Sequence, residues 1–489
     1  MLDNKKQPDS TYNNLNCSEA NSDGKIFIGI SSTGIYCRPI CYARQPKAEN
    51  RTYYATAAEA EQAGFRPCLL CRPELAPKIV QANNFTSLAY QIAKYLEENC
   101  GKPVTIKEIA QYFNCTEQHI EQEFKAKYNV TPLEFLKTCR LLLAKNLLTD
   151  TNLAPGEIAR IVGFNNLQIL NKNFKEQYRF GHERLRRKKV HKEEKNDNIS
   201  LSLTYRPPYR WNELLKFLAM RTIPGVEAVK DGKYFRTVHL FDKHGKPVYG
   251  WLKVSHRPEK NYLSVSINST LFSVIPQLLS RVRHLFDLSC DPDEVQGKLS
   301  SMNISHRNIF LPGTRIPGAF NVFEMTVRAV LGQQITVKAA RTLVGRFAKT
   351  FGAPLETNVE GLTHTFPTPE KILSLRENIG DYLGPIGITS RRAKTILELA
   401  RAIIHKTIDL NFPTQPEKEM ERLKEIPGIG EWTAQYIAMR AMRWSDAFPH
   451  TDYGIKKALA PRTPKEILEI AEKWRPCRSY AAISLWNSL

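Results

Sequence analysis

Four cysteines and one carboxylate define the chemistry open to this sequence. Cys37 and Cys41 stand in GIYCRPICYAR, and Cys68 and Cys71 in GFRPCLLCRPE. C-x3-C followed by C-x2-C lets each pair grip one edge of a tetrahedron, the pattern of a tetrathiolate Zn2+ site. By spacing alone, a purely structural zinc knuckle satisfies it. Near the other end, Pro427-Gly428-Ile429-Gly430 opens into the apolar-periodic run Trp432 to Met442. A helix N-terminus after a glycine turn offers unpaired backbone N–H groups and a positive dipole end, a seat for phosphate. Twenty residues after Trp432, in a loop cued by Pro449, stands Asp452. One ionised carboxylate there can stabilise a sugar cation and orient a water, or cap the helix beginning near Tyr453.

The elements that must hold these residues follow from length and pattern. At 489 residues the chain is too long for one core, and three or four domains are expected. Seventy Lys and Arg against 49 Asp and Glu give a net charge of +21, a field that favours polyanions, chiefly nucleic acid. The start, MLDNKKQPDS, carries no targeting pattern, and no apolar run approaches a membrane span, so no membrane partner is expected. Ten cysteines, four of them in two close pairs, fit a reduced cytoplasmic protein. Residues 25–30 alternate as a strand, in a small unit with few large apolar residues that needs a metal staple. Residues 85–190 contain a repeat: Glu108-Ile109-Ala110 recurs as Glu157-Ile158-Ala159, and Phe124, Lys125 and Tyr128 as Phe174, Lys175 and Tyr178, an offset of 49 to 50 residues. Between the copies, residues 132–148 read as a linking helix. Further on, strands are expected at 201–203 and 262–267, helices at 211–220 and 273–286, and a helical remainder from about Gly313. The charged run 184–198 reads as a linker.

The residues around the cysteines, Ser32-Thr33-Gly34-Ile35-Tyr36-Cys37-Arg38-Pro39 and Ala63 to Pro73, resemble the N-terminal domain of Ada-type DNA methyl-phosphotriester repair proteins. The resemblance implies that Cys37 is both zinc ligand and methyl acceptor, and that Thr33, Arg44 and Arg66 contact DNA; Tyr42 stands where a basic residue is common. Zinc keeps a thiolate deprotonated and nucleophilic at neutral pH. Four thiolates on one Zn2+ leave an excess of negative charge that repels DNA, and methylating one reduces it, an electrostatic switch. The repeated helical unit, with IARIVGF before its second reading helix, resembles the AraC-type DNA-binding domain, which places a helix of each unit in a major groove. The first reading helix, 116–125, carries Glu117, Glu121 and Glu123, which weaken phosphate contact, whereas 165–174 keeps Asn, Gln and Lys. A helical spacer that reads no sequence is the alternative.

From PPYRW near Arg210 through LFDLSCDP, RAVLGQQIT, PGIGEWTAQYIAMR and WRPCRSYAAISLW, the chain resembles 3-methyladenine DNA glycosylase II of the helix-hairpin-helix superfamily. The resemblance implies a base-flipping enzyme in which Gln334 fills the gap, where close relatives place leucine, and Trp432, Tyr436 and Trp486 line the base pocket. Electron-rich rings suit a purine made cationic by alkylation. The resemblance further implies that Gly428 and Gly430 form the phosphate turn and that Asp452 is the catalytic carboxylate. Bifunctional relatives carry a lysine two residues after the last hairpin glycine; here Trp432 stands there, which implies base removal without strand cleavage. Pro476-Cys477-Arg478 lacks the histidine of an alkylguanine methyltransferase, so Cys477 reads as a packing residue.

The resulting expectation is a multidomain α+β protein: a small zinc-bound domain (1–78), an all-α double helix-turn-helix (85–190), a linker (191–200), an α+β subdomain (201–290) and an all-α helix-hairpin-helix glycosylase domain (305–489). It carries one tetrathiolate Zn2+, binds damaged and promoter double-stranded DNA, adds RNA polymerase as an activator's partner, and resides in a bacterial-type cytoplasm with the nucleoid. Two rivals remain open: a glycosylase whose front half only adds DNA affinity, and a regulator with an inactive glycosylase domain.

Overall fold

The computed structural model describes residues 22–43, 46–185, 198–305, 309–375 and 378–489. Arg44 and most of the charged run 184–198 lie outside them.

Four short strands build the first unit: β1 (Phe27–Ile30), β2 (Ile35–Cys37), β3 (Arg51–Tyr54) and β4 (Arg66–Pro67). They lie in the order β3-β1-β2-β4, antiparallel except for the β2–β4 pair. Gly34, at φ +63°, makes the tight return from β1 to β2, donating its N–H to the Ile30 carbonyl at 2.9 Å. This sheet ends β2 on Cys37 and leads β4 into Cys68. Its own apolar core is Phe27, Tyr36, Ala60 and Ala76. So small a cluster leaves much of the stability to the metal site and to neighbouring elements.

The internal repeat is visible in the helices. Ile106–Phe113 and Glu117–Tyr128 form the first helix-turn-helix, Pro155–Ile161 and Leu167–Tyr178 the second, and Pro132–Asp150 links them. Both reading helices have 12 residues and close on a left-handed residue, Asn129 or Arg179. Thr116 and Asn166 side chains accept an amide proton of the first turn, which fixes both helix starts.

A five-stranded antiparallel sheet, β5 (Asn198–Thr204), β6 (Glu227–Lys230), β7 (Lys233–Phe241), β8 (Pro247–Arg257) and β9 (Tyr262–Asn268), runs in the order β5-β9-β8-β7-β6. β5 starts at Asn198, inside the stretch expected as linker, because Asn198 already pairs with Asn268 of β9. The helix Trp211–Met220 falls as the periodicity predicts. The helix expected at 273–286 is instead a 3-10 segment, Ser269–Val274, followed by Ile275–Leu285, since Pro276 lacks an N–H and is tolerated only in a first turn. The remainder is helical. Its hairpin consists of Pro416–Glu425 and Glu431–Arg440 around the turn 426–430.

These parts share interfaces. Leu147 of the linking helix and Phe174 and Tyr178 of the second helix-turn-helix belong to one buried cluster with Leu203, Leu252 and Val265 of the five-stranded sheet. The helix Leu88–Glu98 lies against Ile275–Leu285 and the loop after residue 408; Gln91 Nε2 donates to the Pro413 carbonyl at 3.1 Å, and Tyr95 and Tyr112 pack on Phe412 at 5.5 and 5.6 Å. Among the described residues no helix is long and apolar enough to cross a membrane.

Candidate functional site

The thiol site is assembled by β2, β4 and the loops that follow them. The Sγ atoms of Cys37, Cys41, Cys68 and Cys71 lie within 4.8 Å of one another. A tetrahedral Zn2+ with bonds of about 2.3 Å places its sulfurs roughly 3.8 Å apart, so the cluster closes on one ion with small side-chain adjustments. The backbone N–H of Arg38 points at Cys71 Sγ (3.3 Å) and that of Leu70 at Cys68 Sγ (3.4 Å), donors that favour the thiolate form a metal requires. The donor set is all sulfur and fits zinc. Cys37 is 5% exposed, whereas Ile40, Tyr42 and Leu70, on the loops that carry the ligand cysteines, are exposed. Thr33 stands exposed in the β1–β2 turn, and Arg66 of β4 is half-buried beside it, its N–H bonded to the Gly34 carbonyl at 2.9 Å.

The reading helices differ as their sequences do. Glu117, Glu121 and Glu123 are exposed on the first, whereas the second exposes Gln168, Ile169 and Lys172.

The carboxylate site lies where three helices converge. Asp452 precedes the helix Tyr453–Ala458 and caps it, with Oδ1 accepting from the Gly454 and Ile455 amides at 2.8 and 3.2 Å. Oδ1 also accepts the Trp486 indole N–H at 2.8 Å, and Oδ2 accepts that of Trp432 at 2.9 Å. Four donors therefore fix one half-buried carboxylate, and a carboxylate has about four acceptor positions in all. Oδ1 is saturated, while Oδ2 keeps a free lone pair. Capping therefore occupies one oxygen only: the amides hold Oδ1 and leave Oδ2 with Trp432.

The aromatic residues face the same space. Trp432 and Tyr436, one turn apart on Glu431–Arg440, stack at 5.3 Å with 12° between planes, and Tyr436 lies 6.2 Å from Trp486. Phe217 extends the group, stacked on Trp486 at 6.5 Å. The sequence reading missed Phe217, and it missed the cations behind the rings. Arg440, 1% exposed, donates from Nη1 to the Tyr436 hydroxyl at 2.7 Å and from Nε to the Pro317 carbonyl at 2.7 Å. The Arg221 guanidinium sits 3.7 Å from the Phe217 ring centre. Burial by itself raises the Tyr436 phenol, but Arg440 and Arg221 outweigh it and hold the phenol below its ordinary range. The spacing Trp432-Tyr436-Arg440 at four-residue steps was the available signal.

The hairpin turn is built on its glycines. Gly428 adopts φ +98°, and a Cβ there would meet Thr395 Oγ1 at 2.3 Å; that hydroxyl in turn donates to the Pro427 carbonyl at 2.6 Å. Gln333 Nε2 ties the turn to the preceding segment, donating to the Gly428 carbonyl at 2.8 Å. Gly430 precedes the next helix as its N-cap residue, with no side-chain cap, and a Cβ there would meet open space. Gln334 is exposed in a left-handed conformation at φ +56°. Cys477, by contrast, is fully buried in the core of the C-terminal half and burial pushes its thiol up, as befits a packing residue.

Comparison with known proteins agrees with this layout along the chain. Residues 10–74 match the family described as metal binding domain of Ada, 109–187 a helix-turn-helix domain, 200–321 the AlkA N-terminal domain, and 327–475 the HhH-GPD superfamily of base excision DNA repair proteins. A probable bifunctional transcriptional activator/DNA repair enzyme AlkA of Mycobacterium tuberculosis is 30% identical over 488 residues, covering 98% of this chain and 96% of that protein. DNA-3-methyladenine glycosylase 2 of Escherichia coli is 34% identical over 287 residues, 58% of this chain and 96% of its own length. The bifunctional transcriptional activator/DNA repair enzyme Ada of the same organism is 35% identical over 124 residues, 25% of this chain and 34% of that protein. On this basis the chain belongs to the AlkA family of bifunctional transcriptional activators and DNA repair enzymes, with an Ada-type zinc site at its front and a helix-hairpin-helix glycosylase at its back.

Proposed function

We propose that the chain repairs alkylated DNA in two ways and reports the damage as a transcription activator. In the back half, Asp452 is the catalytic residue for hydrolysis of the N-glycosidic bond of alkylated bases such as 3-methyladenine. The observation that carries this is the four-donor clamp on its carboxylate beside stacked Trp432 and Tyr436. Alkylation already makes the base a good leaving group, so the enzyme must chiefly stabilise the sugar cation and aim a water, and Oδ2 is placed for both. Base flipping opens the pocket to an aromatic stack, with Gln334 filling the vacated space. The Gly428–Gly430 turn seats a phosphate of the same strand.

In the front half, Cys37 accepts a methyl group from a DNA methylphosphotriester. The thiolate sulfur attacks the methyl carbon, a C–S bond forms, the C–O bond breaks, and the phosphodiester leaves with the electron pair. Bound zinc, held by Cys37, Cys41, Cys68 and Cys71, supplies the deprotonated sulfur. Thr33, Arg66 and Arg44 hold the backbone, and the second reading helix supplies base contacts. Loss of negative charge at the site strengthens DNA binding, and RNA polymerase is the activator's downstream partner in the bacterial cytoplasm.

With Trp432 in place of a Schiff-base lysine, the glycosylase product is an abasic site in an unbroken strand. The test is a labelled duplex bearing 3-methyladenine or 7-methylguanine. Free base with an intact strand supports the reading; strand cleavage by the enzyme itself, or base release by Asp452→Asn at the wild-type rate, contradicts it.

A further inference from the structure

The two DNA-facing parts of the front half meet at a single buried carboxylate. Glu61, on the short helix Ala57–Gln62, is 4% exposed. Its Oε1 accepts the Tyr36 hydroxyl at 2.9 Å and the Tyr178 hydroxyl at 3.1 Å, and its Oε2 accepts Thr138 Oγ1 at 2.8 Å. The Glu61 carbonyl receives a further bond from Gln177 Nε2 at 2.8 Å. The three hydroxyl donors come from three elements. Tyr36 is the β2 residue immediately before Cys37, Thr138 lies on the linking helix, and Tyr178 closes the second reading helix. Both tyrosines are fully buried, so water cannot stand in for either hydroxyl. Leaving a buried carboxylate short of donors is costly, so the network holds the three elements to one geometry.

The same surfaces touch elsewhere. A Cβ on Gly34, in the turn that carries Thr33, would lie 3.7 Å from Arg179 Nη1, at the end of the reading helix. Arg72, next to the ligand Cys71, reaches Asp150 Oδ1 and Oδ2 at 2.7 and 2.8 Å on the linking helix. The first reading helix shares a buried apolar cluster with the same short helix through Ala58, Ile120 and Phe124, but its polar link there is an exposed bond, Asn129 Nδ2 to Glu59 Oε1 at 3.0 Å. Exposed polar contacts hold little, whereas the buried Glu61 network is directional and fixes geometry.

We infer that Glu61 is the positioning residue through which the methyl-acceptor strand and the second reading helix act as one DNA-reading body. The path is short: Cys37 to Tyr36 along the backbone, then Tyr36 to Tyr178 through one carboxylate oxygen. A shift of β2 when Cys37 changes charge moves an acceptor on which the reading helix also depends. Holding two DNA contacts in fixed register raises the effective concentration of the second once the first has formed. The inference rests on the proposed methyl-acceptor role of Cys37.

The experiment is hydrogen exchange on the full, zinc-loaded chain before and after Cys37 is methylated by a duplex carrying methylphosphotriesters. In the wild type, methylation changes the protection of the Leu167–Tyr178 amides. In Tyr178→Phe, which keeps the core ring, and in Glu61→Leu, that change falls by about threefold or more, the scale of one lost hydrogen bond. Zinc content and the rate of Cys37 methylation stay at the wild-type level. Glu61→Gln keeps an acceptor for both tyrosines and retains the response. An equal change in wild type and Tyr178→Phe overturns the inference, and so does an unaltered helix in fully methylated wild type. Failure of the duplex to methylate Cys37 refutes the proposed acceptor role instead; methyl iodide then produces the same S-methylcysteine, and the coupling is read from it.

Discussion

The unequal loading of the two Asp452 oxygens makes a sharp prediction. Trp486→Phe and Trp432→Phe each keep an aromatic face and delete one indole N–H. Oδ1 retains the Gly454 and Ile455 amides when Trp486 is changed, so its position survives. Oδ2 has Trp432 as its donor, so Trp432→Phe removes the bond that aims the oxygen proposed to act on the sugar. A hydrogen bond to a charged group contributes about 1.5–3 kcal/mol, or roughly 10- to 150-fold in rate if felt in the transition state. Because the carboxylate is half-buried and water can replace part of the lost bond, the lower end applies. Trp432→Phe should slow single-turnover release of 3-methyladenine by about tenfold, and Trp486→Phe by about threefold or less. Single-turnover kinetics with enzyme in excess separate this step from product release. Equal losses, or a larger loss for Trp486→Phe, would refute the assignment of Oδ2 as the working oxygen.

Other consequences follow from the same geometry. Gly428→Ala places a Cβ against Thr395 Oγ1 in a left-handed backbone and should cost on the order of 1–3 kcal/mol, read as a lowered Tm. Gly430→Ala meets open space and should leave Tm nearly unchanged; if the turn is the proposed phosphate seat, its methyl should weaken duplex binding. Burial pushes the Glu61 carboxyl up to about 7 from an ordinary 4.5. The folded chain therefore holds a proton that the unfolded chain has released between those values, so stability falls as pH rises through this window, by roughly 3 kcal/mol in total. Glu61→Gln should flatten that dependence in denaturant titrations at pH 5 and pH 8. Chelating the zinc should unfold the first unit, whose apolar core is four residues, while leaving base release intact.

The cysteine quartet, the hairpin and the helical repeat were legible because each rests on local spacing, and local spacing survives in any tertiary setting. The reading of Asp452 as either cap or catalyst was also legible, since both follow from a carboxylate before a helix. What the sequence concealed depends on residues far apart in the chain. The Trp486 donor lies 34 positions from Asp452, and Tyr178 lies 117 positions from Glu61. Buried charges were concealed for the same reason. Arg440 and Lys145 are each 1% exposed, Arg440 held by carbonyls and Lys145 by Glu74, partners that no local pattern announces. Pro276, tolerated only in a first turn, is the local signal that starts the helix after Val274 at Ile275 and not at 273.

One experiment addresses the central claim that Cys37 and Asp452 perform separate chemistries in a single chain. A duplex containing both methylphosphotriesters and 3-methyladenine is incubated with wild type, Asp452→Asn and Cys37→Ser; free base is measured by chromatography and S-methylation by mass spectrometry. The account predicts that Asp452→Asn abolishes base release yet methylates Cys37 normally, and that Cys37→Ser takes no methyl yet releases base at the wild-type rate. Base release by Asp452→Asn at the wild-type rate, or a methyl group on a cysteine other than Cys37, would contradict it.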